Sequence, residues 1–312
     1  MIRPEPRVWS SRNPDGSIRW TWYTLADFLA CRRRFKHGVI DDVVPLLRAP
    51  VLSTGSAFHY GQEAGFTAVK EYQAACDEPL LGACHVEAIN AVDAYPYCGE
   101  ESREVARRLA QFYWSPEGGA ERDLSEWRIL GIEKTLTGRI GGSRGVTWGA
   151  TVDLLVEVGP PAHRQWHGIW TVNWKTASDL RQGTFGWARR DGQFLSEQLA
   201  ARAAGIETRG MILAVVTKTK NPTYTRDYVE WPARLVDDFA VDVLYNVRVA
   251  RNAMSRKGPW PQNYNSCSDR YGPCRYWDLC EDGEMARGCF GTRAEAAMAQ
   301  SGDPIFTLDE DW

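Results

Sequence analysis

Two strand-like runs in the middle of the chain each hold a side chain that a buried strand does not tolerate alone. The first is Gly149-Ala-Thr-Val-Asp153-Leu-Leu-Val-Glu-Val158, apolar around one aspartate. The second, Gly168-Ile-Trp-Thr-Val172, runs directly into Asn173-Trp174-Lys175. A carboxylate among apolar neighbours is costly unless something compensates it, and a bound cation is the usual compensation. Residues two apart on a strand point to one face. Asn173 and Lys175 therefore share a face, while Trp174 takes the other and leaves its backbone carbonyl as an oxygen donor.

A chain of 312 residues can bury a substantial core as one large domain or two small ones. Its 37 basic and 40 acidic residues nearly cancel, which excludes a globally basic nucleic-acid coat but not a local basic groove. Tryptophan, at 14 residues, outnumbers tyrosine at 12; such side chains fill cores, stack on bases and line interfaces. The start, Met1-Ile-Arg-Pro-Glu-Pro, has no apolar stretch, and no run of about 18 apolar residues follows. A cytoplasmic protein with no membrane span is expected. In that compartment eight cysteines suggest metal ligation or free thiols rather than disulfides.

Thr24 with Asp27 three residues later resembles a capping box, opening a short helix with Leu25, Phe28 and Leu29 on its apolar face. That helix runs into Cys31-Arg-Arg-Arg-Phe-Lys36. Further helices are expected near 53–76, 100–114 and 186–204, with a long one from Pro232 to about 257. Strands are expected from Trp127, at 149–158, at 168–175, at 210–216 and at 223–231, the first three as an antiparallel meander. The pattern is that of one α/β domain with its ends brought together. Residues 1–50 and 258–290 form a subdomain bearing the cluster cysteines, and 291–312 form a tail with the acidic end Leu308-Asp-Glu-Asp-Trp312, a candidate protein-docking tip.

Hydrolysing a phosphodiester needs a cation to polarise the phosphoryl oxygen and acidify a water. It also benefits from an ammonium near the developing negative charge. If the two strands pair, Asp153, Asn173 and Lys175 supply that set. In this the chain resembles the PD-(D/E)xK nuclease superfamily, and within it the RecB/AddB-type exonuclease branch that includes CRISPR-adaptation and phage nucleases. The resemblance runs from Cys31 to Cys280. It implies a restriction-endonuclease-like core, a central mixed sheet flanked by helices, acting on DNA ends or single strands with Mg2+ or Mn2+. It implies that His59, in Gly55-Ser-Ala-Phe-His59, is a metal ligand beside Asp153, residue 173 and the Trp174 carbonyl; a glycine four residues earlier would let another backbone approach. Glu133 matches an acid on the preceding strand. Gln193 matches a helical glutamine that holds Lys175 or the attacking water, with Gln198 as rival because Glu197 stands where the family has tyrosine.

The departure is at 173, where the family has Asp or Glu. An amide can offer one oxygen but no charge, which should weaken the ion and reduce turnover. Two origins fit, an engineered substitution or a natural loss of catalysis, and the otherwise intact site favours the first. A non-catalytic DNA- or protein-binding module on the same fold is the alternative, and a zinc-stabilised structural protein the next.

Cys267, Cys274 and Cys280 lie on a loop-rich stretch, with six and then five residues between them, which suits a thiolate cluster needing a fourth ligand. Four thiolates fit zinc or an iron–sulfur cubane, and no pair has the two-residue spacing of a zinc ribbon. The resemblance favours [4Fe-4S] with Cys31 as fourth ligand, clipping the two ends together; Cys289 is the rival. Cys76, Cys84 and Cys98 have no partner pattern. Basic spots at Arg32-Arg33-Arg34 with Lys36, Arg189-Arg190, Lys218 with Lys220, and Arg248 with Arg251 could together track a phosphate backbone. Trp174, Trp187 and Tyr224 are the candidate stacking residues, with core packing as the other role for each.

Overall fold

The computed structural model describes residues 13, 16–46, 50–75, 81–96, 98–142, 145–178, 185–255, 258–269, 272–293 and 295–296, without the side chains of 50–53 and 269. Cys76 and the acidic tail at 308–312 lie outside the described residues. In chain order the elements are α1 (Trp22–Ala30), α2 (Arg32–Phe35), β1 (Val43–Pro45), α3 (Pro50–Ala74), α4 (Leu81–Ala94), α5 (Glu100–Tyr113) and α6 (Ala120–Glu126). Then follow β2 (Trp127–Ile140), β3 (Val146–Val158), β4 (Gly168–Ala177), α7 (Gly192–Ala203), β5 (Gly210–Thr217), β6 (Tyr224–Val229) and α8 (Ala233–Met254). The last are β7 (Ser268–Asp269), β8 (Gly272–Pro273), α9 (Trp277–Glu281) and β9 (Phe290–Thr292). None of the described helices is long and apolar enough to cross a membrane. The chain divides into two compact units, Ala49–Asp242 and Met1–Arg48 with Val243–Trp312.

The larger unit is built on a five-stranded sheet of order β2-β3-β4-β5-β6. The first three strands are the antiparallel meander expected from their short links, β4 and β5 are parallel, and β6 returns antiparallel. The sheet is therefore mixed. α7 lies between β4 and β5 in the chain and supplies the crossover that a parallel pair requires. The alternation of β4 sets its two faces. Trp170, Val172 and Trp174 enter a core with Phe58, Phe66, Tyr113 and Trp114 from α3, α5 and the residue that follows α5. Trp174 lies 4.7 Å from Tyr113 and 6.0 Å from Phe66, ring centre to ring centre. Thr171, Asn173 and Lys175 face α7 instead, through Gln198, Glu197 and Phe194.

α7 packs across β2 and β3 as well. Trp148 donates its indole N–H to Ser196 Oγ at 3.1 Å, and Gly138 lets the strand meet the backbone of Ala203 so closely that a β-carbon would lie 1.9 Å from its carbonyl oxygen. The helix begins at Gly192, not near 186, because Asp191 caps it by accepting from the Gln193 N–H at 2.7 Å. α3 packs on α4 and α5 through Gly61 and Gly65, where a β-carbon would meet Val92 and Trp114 at 2.6 and 2.3 Å. Gly55 has no such role, since a β-carbon there would make ordinary contact with Thr176 Oγ1 at 3.7 Å.

In the smaller unit β1 pairs antiparallel with β9, and Tyr276, fully buried, donates to the Val43 carbonyl at 2.9 Å. Phe35 packs among Trp20, Phe28 and Trp260. The capping-box reading of Thr24 and Asp27 does not hold. Thr21 is the cap, accepting from the Thr24 N–H, and Asp27 is buried and bound to Arg34 at 2.6 Å and Arg275 at 2.5 Å. Two guanidinium partners hold that carboxylate inside the unit, where it cannot serve the helix end.

Candidate functional site

The β3–β4 ladder ends at Leu154–Val172. One step further, β3 stays with β2 and β4 stays with β5, which opens the sheet at Asp153 and Asn173. The gap is spanned by one hydrogen bond: the Trp174 N–H donates to Asp153 Oδ2 at 2.7 Å. His59 arrives from α3 with Nδ1 3.3 Å from the same oxygen. Its neighbour Phe58 is fully buried 6.1 Å from the Trp174 ring, so the packing of one side chain places the other. Burial alone would push the Asp153 carboxyl up, but His59, Lys175 and the Trp174 N–H outweigh it and hold the carboxyl below its ordinary range.

On the α7 side, Asn173 donates from Nδ2 to Glu197 Oε1 at 2.7 Å, and both residues are 2% exposed. Gln193, one helical turn before Glu197, reaches the same oxygen at 3.4 Å. Asn173 Oδ1 and Glu197 Oε2 are buried and have no hydrogen-bond partner. Burial pushes the Glu197 carboxyl well above its ordinary range, the charge of Asp153 adds to that push, and Lys175 draws it back. Lys175 is half-buried with Nζ 5.5 Å from the centre of the Phe194 ring. Gln198 bonds Thr171 at 3.0 Å and Thr208 at 2.9 Å, which commits both ends of its amide to holding α7 on β4.

Glu133 falls between the pairs Ile132–Leu154 and Lys134–Val152, opposite Asp153 in register. It adopts a left-handed φ of 44°, a strained conformation for a residue with a side chain, beside the point where the sheet opens. Asp153, His59, Asn173, Lys175 and Gln193 thus gather at one opening of the sheet, and the backbone of Glu133 lies beside it. Sequence reasoning did not assign Glu197 to the site. Its signal was the substitution at that position, four residues after Gln193, which only the packing of α7 on β4 turns into a contact.

In the smaller unit Cys31, Cys267, Cys274 and Cys280 line one cavity of about 450 Å³, with Arg33, Arg34, Gln262 and Tyr276. Asn263 donates its backbone N–H to Cys31 Sγ at 3.4 Å, and Gln262 Nε2 donates to Cys267 Sγ at 3.3 Å. Burial pushes the Cys280 thiol up. Among the described residues, no three His, Cys, Asp or Glu side chains are placed to share a single metal ion. Cys289 is exposed and does not line this cavity; Cys84 is buried and Cys98 half-buried, both free.

The basic run beside Cys31 is engaged within its own unit. The Arg32 guanidinium lies 3.4 Å from the centre of the Phe28 ring, Arg33 bonds Gln262 at 2.7 Å, Arg34 bonds Asp27, and Lys36 bonds Asp41 at 2.5 Å. Arg189 and Arg190 are exposed, on the turn that leads into α7. Of the candidate stacking residues, Trp174 is in the core and Tyr224 is committed to Asp123 through its hydroxyl at 2.6 Å. Trp187 is 43% exposed and 5.5 Å from Phe194.

The sequence profile of the PD-(D/E)XK nuclease superfamily matches residues 19–281. Among solved structures the chain is similar to a candidate exonuclease from Eubacterium rectale, at 10% identity and a TM-score of 0.45, over 85% of this chain and 88% of that one. No curated protein matches by sequence.

Proposed function

Because the chain belongs to the PD-(D/E)XK nuclease superfamily, we propose that it is a metal-dependent phosphodiesterase, an exonuclease of the RecB/AddB type acting on DNA ends or single strands. The observation that carries this is the convergence on Asp153 Oδ2 of the Trp174 N–H and His59, beside Asn173. Two buried oxygens without partners, Asn173 Oδ1 and Glu197 Oε2, suit a hard cation that binds oxygen donors. Asp153, His59, the Asn173 amide oxygen and the Trp174 carbonyl would hold Mg2+ or Mn2+. When bound, the ion polarises a phosphoryl oxygen and acidifies a water. Lys175 places positive charge where negative charge develops on the phosphoryl group. Gln193 steadies this arrangement from α7, and Glu133 adds an acid from β2. Trp187, Arg189 and Arg190 offer a stacking face and phosphate contacts on the turn before α7.

The thiol-lined cavity is proposed to hold a structural [4Fe-4S] cluster on Cys31, Cys267, Cys274 and Cys280. The N–H donors to Cys31 and Cys267 would stabilise thiolate charge. A single zinc ion, with Zn–S bonds of about 2.3 Å, needs the four sulfurs crowded around one point. The described thiols are not gathered that tightly.

With an amide at 173, β4 contributes no negative charge, and on the strand residues alone the site would bind metal weakly and turn over slowly. That observation favours a second reading, a binding module on the same fold. The test is cleavage of end-labelled single- and double-stranded DNA with Mg2+ or Mn2+, by the chain and by Lys175→Ala. Metal-dependent cleavage that chelation and Lys175→Ala both remove is the expected result. Binding of DNA with no cleavage under any of these conditions supports the module.

A further inference from the structure

We propose that Glu197 supplies the carboxylate that Asn173 lacks, so that the second anionic metal ligand of this site stands on helix α7 and not on strand β4; without metal His59, Asp153 and Glu197 are not grouped around one point, and the ion would draw them together. This rests on the metal-dependent reading above. The two residues touch, Asn173 Nδ2 to Glu197 Oε1 at 2.7 Å. With Nδ2 committed to Glu197, Asn173 turns Oδ1 away from that bond, and Glu197 keeps Oε2 free in the same buried place. Each residue thus keeps one oxygen to give.

A structural role for Glu197 does not account for this. Its hydrogen-bond donors are the neutral amides of Asn173 and Gln193, and a carboxylate buried against amides alone is costly. Its α7 neighbours Phe194, Leu195 and Leu199 are buried apolar residues, so packing would be served equally by a neutral side chain. Asp153 and Lys175 both act on it electrostatically, which places it within the field of the candidate site. With Glu197 ionised on an ion, Asp153 and Glu197 would together carry two negative charges, the same total as Asp153 with an acid at 173 and a neutral residue at 197.

The exchange is testable by moving the charge back. Mn2+ and Mg2+ binding to the full chain is measured by calorimetric titration, beside DNA cleavage, for Glu197→Gln, Asn173→Asp and the double variant. Glu197→Gln is expected to lower metal affinity by about tenfold or more. The double variant, with the charge on β4, is expected to recover most of that loss. Asn173→Asp alone is expected to gain little, because it sets two carboxylates at hydrogen-bond distance. Unchanged affinity in Glu197→Gln, together with a large gain in Asn173→Asp alone, overturns the proposal. So does loss in Glu197→Gln without recovery in the double variant, which reduces Glu197 to positioning Asn173. Should Glu197→Gln fail to fold, Glu197→Asp, which keeps the charge and withdraws it by one methylene, is expected to weaken metal binding; unchanged affinity there also overturns it. If metal binding follows the expected order and none of the proteins cleaves DNA, the ligand assignment stands and the nuclease reading fails.

Discussion

The backbone N–H of Trp174 donates to Oδ2 of Asp153 at 2.7 Å, so the strand that carries Lys175 also fixes the carboxylate of its neighbour. Asp153→Asn keeps the shape of that side chain and removes its charge. Mn2+ affinity should fall by about 10- to 100-fold and metal-dependent cleavage should be lost, while the far-ultraviolet circular dichroism stays the same.

Glu197 makes apo stability depend on pH. Its folded carboxyl titrates well above the ordinary 4.5, chiefly through burial. The folded state therefore holds this proton more tightly than the unfolded chain does. Between the ordinary value and the raised one, folding takes up a proton, and stability falls as pH rises through that window. Glu197→Gln removes the titration. Urea unfolding without metal should show the variant gaining stability over the parent as pH rises from about 4.5, with the difference levelling off once the folded carboxyl has ionised. A constant difference across pH would show that Glu197 is not protonated in the apo fold.

Cys31→Ser should abolish iron and sulfide content and visible absorption after anaerobic purification, and should lower the melting temperature, since ligation energy is folding energy. Cys289→Ser should change neither, because that thiol lies outside the cavity. Stoichiometric zinc without visible absorption would replace the cluster with a structural zinc site.

Arg226 is a buried cation that binds both Asp123 and Glu126, and Asp123 also accepts from the Tyr113 and Tyr224 hydroxyls. Arg226→Ala leaves the Asp123 carboxylate buried with only the more distant and exposed Arg122, at 3.7 Å, as a charge partner. The expected loss is about 3–5 kcal/mol, read by urea unfolding. Metal affinity should be unaffected in the variant under conditions where it stays folded.

The local parts of this site were legible in the sequence. The alternation through Asn173, Trp174 and Lys175 announced which residues share a face, and the short links announced the meander. The rest depended on contacts between distant segments. That Asp27 would be claimed by Arg34 and Arg275 depends on Arg275 coming from the far end of the chain. That Gly61 and Gly65 matter, and Gly55 does not, depends on where Val92 and Trp114 come to rest. Glu197 could be seen as unusual, yet its meeting with Asn173 required the crossover geometry that lays α7 on β4.

The two faces of β4 also limit how such a site can evolve. A slip of one residue in its register would turn Trp174 toward α7 and send Asn173 and Lys175 into the aromatic core, destroying fold and chemistry in one event. Insertions and deletions in this strand are therefore closed to selection. Positions on α7 are not, because a helix residue can change without shifting the frame of the strand beneath it. On the Glu197 proposal, a charge that leaves β4 has only a neighbouring element to go to, and drift in this family should be recorded in pairs of positions that face each other across the sheet and helix.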